Sequence, residues 1–172
     1  MIITTPISDG EMRQGIEMIL MNISRYVRDV KLLFMDGSIE HATLLALYAA
    51  EELGKASLLF QTLQTGTPSV DLKLFRRKKA HEIKMKEACK LLGDSVILQS
   101  CKFGKARFPF ILGAPDVEAS PNLREDCTYV DFREGKWRFG ASFPKEHLVS
   151  LFTELEKQSS LIHSRLSPTG PP

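Results

Sequence analysis

The chain has 172 residues and a mass of 19.3 kDa, which is the size of one domain and too small for two full ones. Apolar residues make up 43% and charged residues 26% of it, enough for a core and a solvated surface, and this composition excludes a disordered chain. The formal net charge is only +2, so the overall charge of the chain does not indicate a nucleic-acid or membrane partner.

The cysteines and the apolar segments indicate the compartment. Cys89, Cys101 and Cys127 are widely spaced and form no CxxC or Cys/His metal pattern, which is typical of a reduced, cytoplasmic protein. The longest uncharged helical stretch, 42–50, is far below the roughly 20 apolar residues that a membrane span needs. No signal-peptide pattern is visible, so we expect a cytoplasmic protein with no membrane association and no metal or other cofactor.

Two helices are predicted in the first part of the chain. The first begins at a capping box formed by Ser8 and Glu11, and its apolar residues recur every three or four positions for about six turns. Asp36-Gly37 ends it. The second helix, rich in alanine and leucine, is predicted over 39–63 and stops at a Thr-Gly-Thr-Pro sequence.

The second part of the chain is less regular. A third helix is predicted over 72–92, with an alternative end near Cys101, and residues 104–126 are predicted to form a loop rich in glycine and proline. Residues 127–139 read as two short strands around a glycine-containing turn, a β-hairpin. A fourth helix is predicted over 145–165.

These elements predict a mainly α fold, an antiparallel four-helix bundle in which a loop and a small β-hairpin are inserted before the last helix. We expect one domain over residues 1–166, with the insert at 104–143, and a disordered tail at 167–172.

An acidic side chain interrupts the apolar stripe of the second helix. With about 100° per residue, that stripe contains Leu45, Ala49, Glu52, Ala56, Leu59 and Leu63. A carboxylate in such a position has to be paired, hydrogen-bonded or protonated, because an isolated buried charge costs several kcal/mol. Tyr48 and Lys55 are its nearest partners along the helix, whereas Glu51 is predicted to point toward solvent. Glu52 is therefore either a structural residue tied to Lys55 or a residue that orients a catalytic or binding group.

The third helix has a histidine on its apolar stripe and a concentration of positive charge around it. His81 shares that stripe with Leu74, Met85, Ala88 and Leu92. The segment 73–90 holds eight basic residues against only Glu82 and Glu87. Such a field attracts phosphate groups, and an imidazole can transfer protons near neutral pH. The alternative interpretation is an ordinary core histidine beside a solvated helix face.

Three blocks of the sequence resemble segments of one known protein family. Residues 38–56, which contain the run Glu-Glu-Leu-Gly-Lys, look like the alanine-rich second helix of that family. His81-Glu-Ile-Lys84 looks like its His-x-x-Lys element, and 123–132 with Trp137 looks like its late tyrosine–valine–aspartate strand. Together the three blocks extend this resemblance, which is to the AbiV family of abortive-infection proteins, over most of residues 10–165.

The AbiV family is similar to the HEPN superfamily of helical bundles, many of which are metal-independent ribonucleases of defence and toxin systems, often active at a dimer interface. The resemblance therefore implies a phage-defence protein with RNA as a partner and a homodimeric state. The usual HEPN motif is an arginine separated from a histidine by four to six residues, and the segment from Arg76 to His81 has that spacing. In a regular helix Arg76 points about 140° away from His81 whereas Arg77 lies on the same side, so which arginine pairs with the histidine stays open.

The resemblance also assigns roles. His81 would transfer the proton at the 2′-hydroxyl or the leaving oxygen of RNA, and an arginine with Lys84 would hold the scissile phosphate. Glu52 and Lys55 would cross from the second helix to orient the imidazole. The full candidate set is His81, Arg76, Arg77 and Glu52 as catalytic residues and Lys55, Lys84, Lys78 and Tyr48 as substrate-binding residues.

The rival interpretation is a non-catalytic binding module that sequesters a phage or host protein, or binds RNA or a nucleotide. The same polar residues would then form a buried network that fixes the register of the helices. Solvent access discriminates between the two, because an enzyme needs His81 open to a phosphate and a structural network can be sealed.

Overall fold

The computed structural model describes residues 7–66, 80–92, 101–103, 106–108, 131–133, 136–138 and 145–166. These ranges contain the helices α1 (Asp9–Asp36), α2 (Ile39–Thr65), α3 (Ala80–Leu92) and α4 (Lys145–Leu166). The prediction of a mainly α protein is confirmed. Among the described residues, no helix combines the length and the apolar character that a bilayer crossing requires.

Local sequence signals set both ends of α1. The backbone N–H of Glu11 donates to the Ser8 hydroxyl, and the Glu11 carboxylate accepts from the Ser8 N–H at 2.8 Å, which completes the predicted capping box. At the other end Gly37 adopts a left-handed φ of 84°, a conformation that glycine reaches without steric cost. The turn is short, so α2 starts at Ile39 and folds back along α1.

Helix α1 packs antiparallel to both α2 and α4. The rings of Tyr26 and Tyr48 lie 6.1 Å apart, near the middle of α1 and α2. Between α1 and α4, the rings of Phe34 and Phe152 meet edge to face at 6.1 Å near the C-terminus of α1. Near the N-terminus of α1, the Arg13 guanidinium donates to the Leu166 carbonyl at 3.0 Å. Residue numbers fall along one helix as they rise along the other, as the predicted antiparallel arrangement requires.

Helices α2 and α3 run in roughly the same direction, so the predicted antiparallel packing is wrong for this pair. Glu51 contacts His81 and Lys84 near one end of the interface. Gln61, ten positions further along α2, contacts Glu87, which is also further along α3. Antiparallel helices would pair rising numbers on one with falling numbers on the other.

Helix α2 occupies the centre of the core and is buried on more than one side. It packs against α1, α3 and α4. Its buried residues are mostly small, which lets three neighbours approach it: Ala42, Thr43, Ala46, Ala49, Ala50, Leu53, Gly54, Ala56, Ser57, Leu58, Leu59, Phe60 and Thr62. The long apolar side chains that fill the space between the helices come mainly from α1 and α4, among them Ile16, Ile23, Leu148 and Leu151.

Two pairs of short antiparallel strands complete the described structure. Strand β1 (Cys101–Phe103) pairs with β2 (Ala106–Phe108), and β3 (Asp131–Arg133) pairs with β4 (Lys136–Arg138). The β3–β4 pair lies in the stretch for which the sequence predicts a hairpin, whereas β2 lies where the sequence predicts loop. The rest of the predicted insert and the predicted tail at 167–172 lie outside the described residues.

Candidate functional site

A carboxylate of α2 binds two basic side chains of α3. The Nδ1 atom of His81 lies 2.7 Å from Oε1 of Glu51. The Nζ atom of Lys84 donates to the same oxygen at 2.5 Å. The three side chains form one cluster at the α2–α3 interface, called the Glu51 cluster below.

The members of the Glu51 cluster differ in their access to solvent. The side chain of Lys84 is 8% exposed and that of Glu51 is 14% exposed, whereas that of His81 is 46% exposed. The carboxylate and the ammonium therefore form an almost buried ion pair, in which each charge balances the other. The imidazole lies above this pair at the surface.

The contact with Glu51 fixes which ring nitrogen of His81 carries hydrogen. An ionised carboxylate can only accept hydrogen bonds, so Nδ1 of His81 has to be the donor. In the neutral ring the other nitrogen, Nε2, then has a free lone pair and can accept a proton. A carboxylate that holds a histidine in one tautomer in this way is a common arrangement behind a catalytic imidazole.

Close approach of the two backbones brings these side chains together. A Cβ atom built on Gly54 would overlap the carbonyl oxygen of Lys84 and would lie 3.0 Å from the backbone nitrogen of Ala88. Glycine is thus required at this crossing by the neighbouring backbone. Because Glu51 lies three residues before Gly54, it is on the same face of α2 and meets the first turns of α3.

A second polar cluster lies on the other side of the Gly54 crossing, with the carboxylate on the opposite helix. Glu87 of α3 accepts from the Ser57 hydroxyl at 2.9 Å, from the Gln61 amide, and from Lys90 at 2.8 Å. Burial raises the pKa of the Glu87 carboxyl, but the hydrogen bonds from Lys90, Ser57 and Gln61 outweigh it and hold that pKa below its ordinary value. The two clusters clasp α3 to α2 at both sides of the glycine.

The structure corrects the roles that the sequence predicts for the two neighbouring glutamates. The sequence predicts that Glu51 faces solvent, but Glu51 is the residue that meets His81. The sequence predicts that Glu52 reaches the imidazole, but Glu52 pairs with Lys55 on its own helix at 3.5 Å, and both side chains are partly exposed. The predicted contact of Glu52 and Lys55 with His81 is therefore wrong, and the structural interpretation of this pair fits the observed geometry.

The prediction that His81 faces the apolar core is also wrong, since nearly half of its side chain is exposed. The ring of Tyr48 lies against that of Tyr26. The remaining candidates, Arg76, Arg77 and Lys78, lie outside the described residues. Their proposed roles stay predictions from the sequence.

Sequence reasoning missed Glu51, Ser57, Gln61 and Glu87. One signal could have found the first two, because Glu51, Gly54 and Ser57 recur every three residues and place a glycine between two polar residues on one helix face. Such a face is suited to a close helix crossing with polar contacts on each side. Within the described ranges, no group of three or more His, Cys, Asp or Glu side chains is arranged to hold a metal ion.

Comparison with known proteins places the chain in a family. The family model described as AbiV, of the HEPN type, matches residues 11–159, which is most of the 172-residue chain and includes α2, α3 and the Glu51 cluster. No curated protein and no solved structure matches it. The three blocks that carry the resemblance in the sequence all lie within the matched residues. The chain belongs to the AbiV family of HEPN-type proteins, which associates it with abortive infection.

Proposed function

We propose that this protein acts in abortive infection as a metal-independent ribonuclease in which His81 transfers the proton at the cleaved RNA phosphate. The observation that carries the proposal is the half-exposed imidazole whose Nδ1 is held by an almost buried carboxylate. The exposure makes the ring accessible to a ligand, and the contact at Nδ1 orients it. General acid–base catalysis needs both properties.

In the proposed reaction, Nε2 of His81 removes the proton from an RNA 2′-hydroxyl. The 2′-oxygen forms a bond to the adjacent phosphorus, and the bond from phosphorus to the 5′-oxygen of the next nucleotide breaks. The products are a 2′,3′-cyclic phosphate and a 5′-hydroxyl, whose oxygen takes up a proton from water as it leaves, while His81 returns its proton to the solvent. A positioned base typically contributes about 10²–10⁴-fold to the rate of such a step.

Glu51 and Lys84 act in this reaction through His81 and do not contact the RNA. Glu51 is a positioning residue, because it orients the imidazole. Lys84 compensates the charge of Glu51, and since its ammonium is almost buried, this role fits the geometry better than the predicted contact with phosphate. The proposal therefore assigns the scissile phosphate to Arg76 or Arg77 without Lys84, and it keeps Lys78 as a substrate-binding residue.

The second candidate function is a binding module without catalysis. The observation that favours it is the pair of carboxylates, Glu51 and Glu87, that link α3 to α2 on either side of Gly54. A purely structural network needs such contacts. In that case the role of His81 would be to complete the hydrogen bonding of Glu51.

The test compares purified variants in RNA cleavage with EDTA present and in toxicity to a host cell. His81→Ala is expected to lose cleavage and toxicity, and Glu51→Gln to lower the maximal rate more than it changes KM. Glu52→Gln is the matched control, because it changes a neighbouring carboxylate that does not touch the imidazole. Near-wild-type cleavage and toxicity in a His81→Ala variant with unchanged unfolding behaviour would remove the catalytic role and leave the binding module.

A further inference from the structure

The outer face of α1 exposes large apolar side chains. Met18, Met21, Leu32 and Met35 are between 57% and 82% exposed, which is far above the exposure of the core-facing residues of the same helix. Single exposed apolar residues are ordinary on protein surfaces, but four on one face of one helix indicate a binding surface.

These side chains form a regular seam. Together with two exposed arginines they define the outer stripe of α1: Met18, Met21, Arg25, Arg28, Leu32 and Met35. Successive members are three and four residues apart in strict alternation, which is the a/d spacing of a coiled-coil helix. The stripe spans about 26 Å at 1.5 Å per residue, and it lies opposite the buried stripe that contains Ile16, Ile23 and Val30.

A second copy of this chain does not fit the outer stripe well. Antiparallel self-pairing that matches all four apolar side chains brings Met18 against Met35 and Met21 against Leu32, but it also brings Arg25 against Arg28 twice at the centre. Parallel pairing brings each arginine against its own copy. Like charges facing each other in an apolar seam cost stability in either case.

An anionic membrane also fits poorly. Helices that lie on such membranes have polar faces dominated by lysine and arginine. The exposed surface of α1 instead carries acidic residues around the stripe, including Glu17 and Asp36. Asp29 already pairs with Arg28 at 2.9 Å.

We propose that the outer stripe of α1 binds an amphipathic helix of another protein that presents apolar residues at both ends of its seam and aspartate or glutamate in the middle. The apolar ends would pack on the methionines and Leu32, and the central acids would pair with Arg25 and Arg28. Arg28 can exchange Asp29 for an acidic residue of the partner helix, because the side chains of the Arg28–Asp29 pair are 69% and 41% exposed and such surface pairs contribute little stability. Methionine is well suited to such a surface, since its flexible side chain adapts to different partners.

The test uses two synthetic helical peptides with the same apolar seam, one with glutamates and one with lysines at the two central positions. Binding to the full chain is measured by fluorescence anisotropy. We expect the acidic peptide to bind about tenfold or more tightly than the basic peptide, with an affinity that falls as salt rises. In the Arg25→Glu, Arg28→Glu double variant the preference should reverse.

Controls locate the binding. Met21→Lys with Leu32→Lys should abolish binding of the acidic peptide, whereas Leu161→Lys, at an exposed leucine of α4, should leave it unchanged. Equal binding of the two peptides, or a preference that does not reverse in the double variant, overturns the proposal. Self-association in sedimentation that Met21→Lys removes, or binding to phosphatidylserine vesicles that exceeds binding to the peptide, would assign the stripe to a second copy or to a lipid surface and would also overturn it.

Discussion

Gly54 of α2 and Lys84 of α3 touch through their backbones, because a Cβ atom on Gly54 would occupy the position of the Lys84 carbonyl oxygen. This contact fixes the distance between the two helices at the point where the Glu51 cluster forms. The side chains of Glu51, His81 and Lys84 reach one another only because no side chain separates the helices at residue 54.

Gly54→Ala should therefore destabilise the protein. The new methyl group meets backbone, which cannot rotate away as a side chain could, so we expect a loss of about 2–3 kcal/mol in the free energy of unfolding. Gly15→Ala is the matched control within α1, where a Cβ would meet no atom within 4 Å. It should be neutral or stabilise by about 0.5–1 kcal/mol, because alanine favours helix. Urea unfolding of both variants checks the prediction, and equal effects would show that the crossing is not tight.

Glu51→Ala should destabilise the protein by about 2–4 kcal/mol, because it leaves the almost buried Lys84 ammonium without its carboxylate. Glu52→Ala, the adjacent control, should cost no more than about 1 kcal/mol, since its pair with Lys55 is partly exposed. The double variant Glu51→Leu, Lys84→Met should recover much of the lost stability, because apolar side chains can replace a buried ion pair. If the double variant is no more stable than Glu51→Ala alone, the buried charge is not the cause.

The same double variant separates stability from orientation. It restores packing between α2 and α3, but it offers no acceptor for Nδ1 of His81. We therefore expect a protein that unfolds almost like the wild type and cleaves RNA as poorly as Glu51→Ala. Recovery of both properties together would show that Glu51 acts only through stability.

Glu87 should make stability fall at acid pH. Its pKa in the folded protein is below the ordinary value of 4.5, because the hydrogen bonds from Lys90, Ser57 and Gln61 outweigh the opposing effect of burial. A depressed pKa contributes stability that is fully present above about pH 4.5 and is lost as the pH falls through the lower folded value. Glu87→Gln should thus be less stable than the wild type at neutral pH, and the difference should shrink below about pH 4.5. Unfolding free energies measured from pH 7 downward check this, and a difference that does not change with pH would contradict it.

Cys89 should react slowly with thiol reagents while the protein is folded. Burial raises the pKa of its thiol from the ordinary 9.0 to about 12, so the reactive thiolate is scarce at pH 8. The thiolate fraction, and with it the rate, should rise roughly a thousandfold on unfolding in urea, since three pKa units separate the two states. The measurement uses a Cys101→Ser, Cys127→Ser background, which leaves Cys89 as the only thiol. Fast alkylation of the folded protein would contradict the prediction.

The sequence predicts α1 well because its limits depend on local chemistry. The capping box of Ser8 and Glu11 and the left-handed Gly37 act within a few residues of each end, and they need no knowledge of the rest of the fold. The apolar period of α1 also points to the observed core face, because the fully buried residues Ile16, Ile23 and Val30 recur along that face.

The candidate site is harder to predict because α2 has neighbours on several sides. A single apolar stripe describes a helix with one buried face, and that assumption placed Glu52 inward and Glu51 outward. In the structure the face of α2 that meets α3 is polar and centred on Gly54, so Glu51 takes the role predicted for Glu52. The two positions differ by only one residue, or about 100° around the helix. The direction of α3 relative to α2 depends on tertiary packing, which the periodicity of neither helix encodes.

One oxygen of Glu51 receives both His81 and Lys84, and the two donors differ sharply in exposure, with 46% of the His81 side chain and 8% of the Lys84 side chain accessible. Because the ammonium already neutralises the carboxylate, replacing His81 leaves no uncompensated charge in the interior. The backbone contact at Gly54 does not involve the imidazole either. The chemistry at this surface can therefore change by substitution of one residue while the interior ion pair and the packing of the two helices persist.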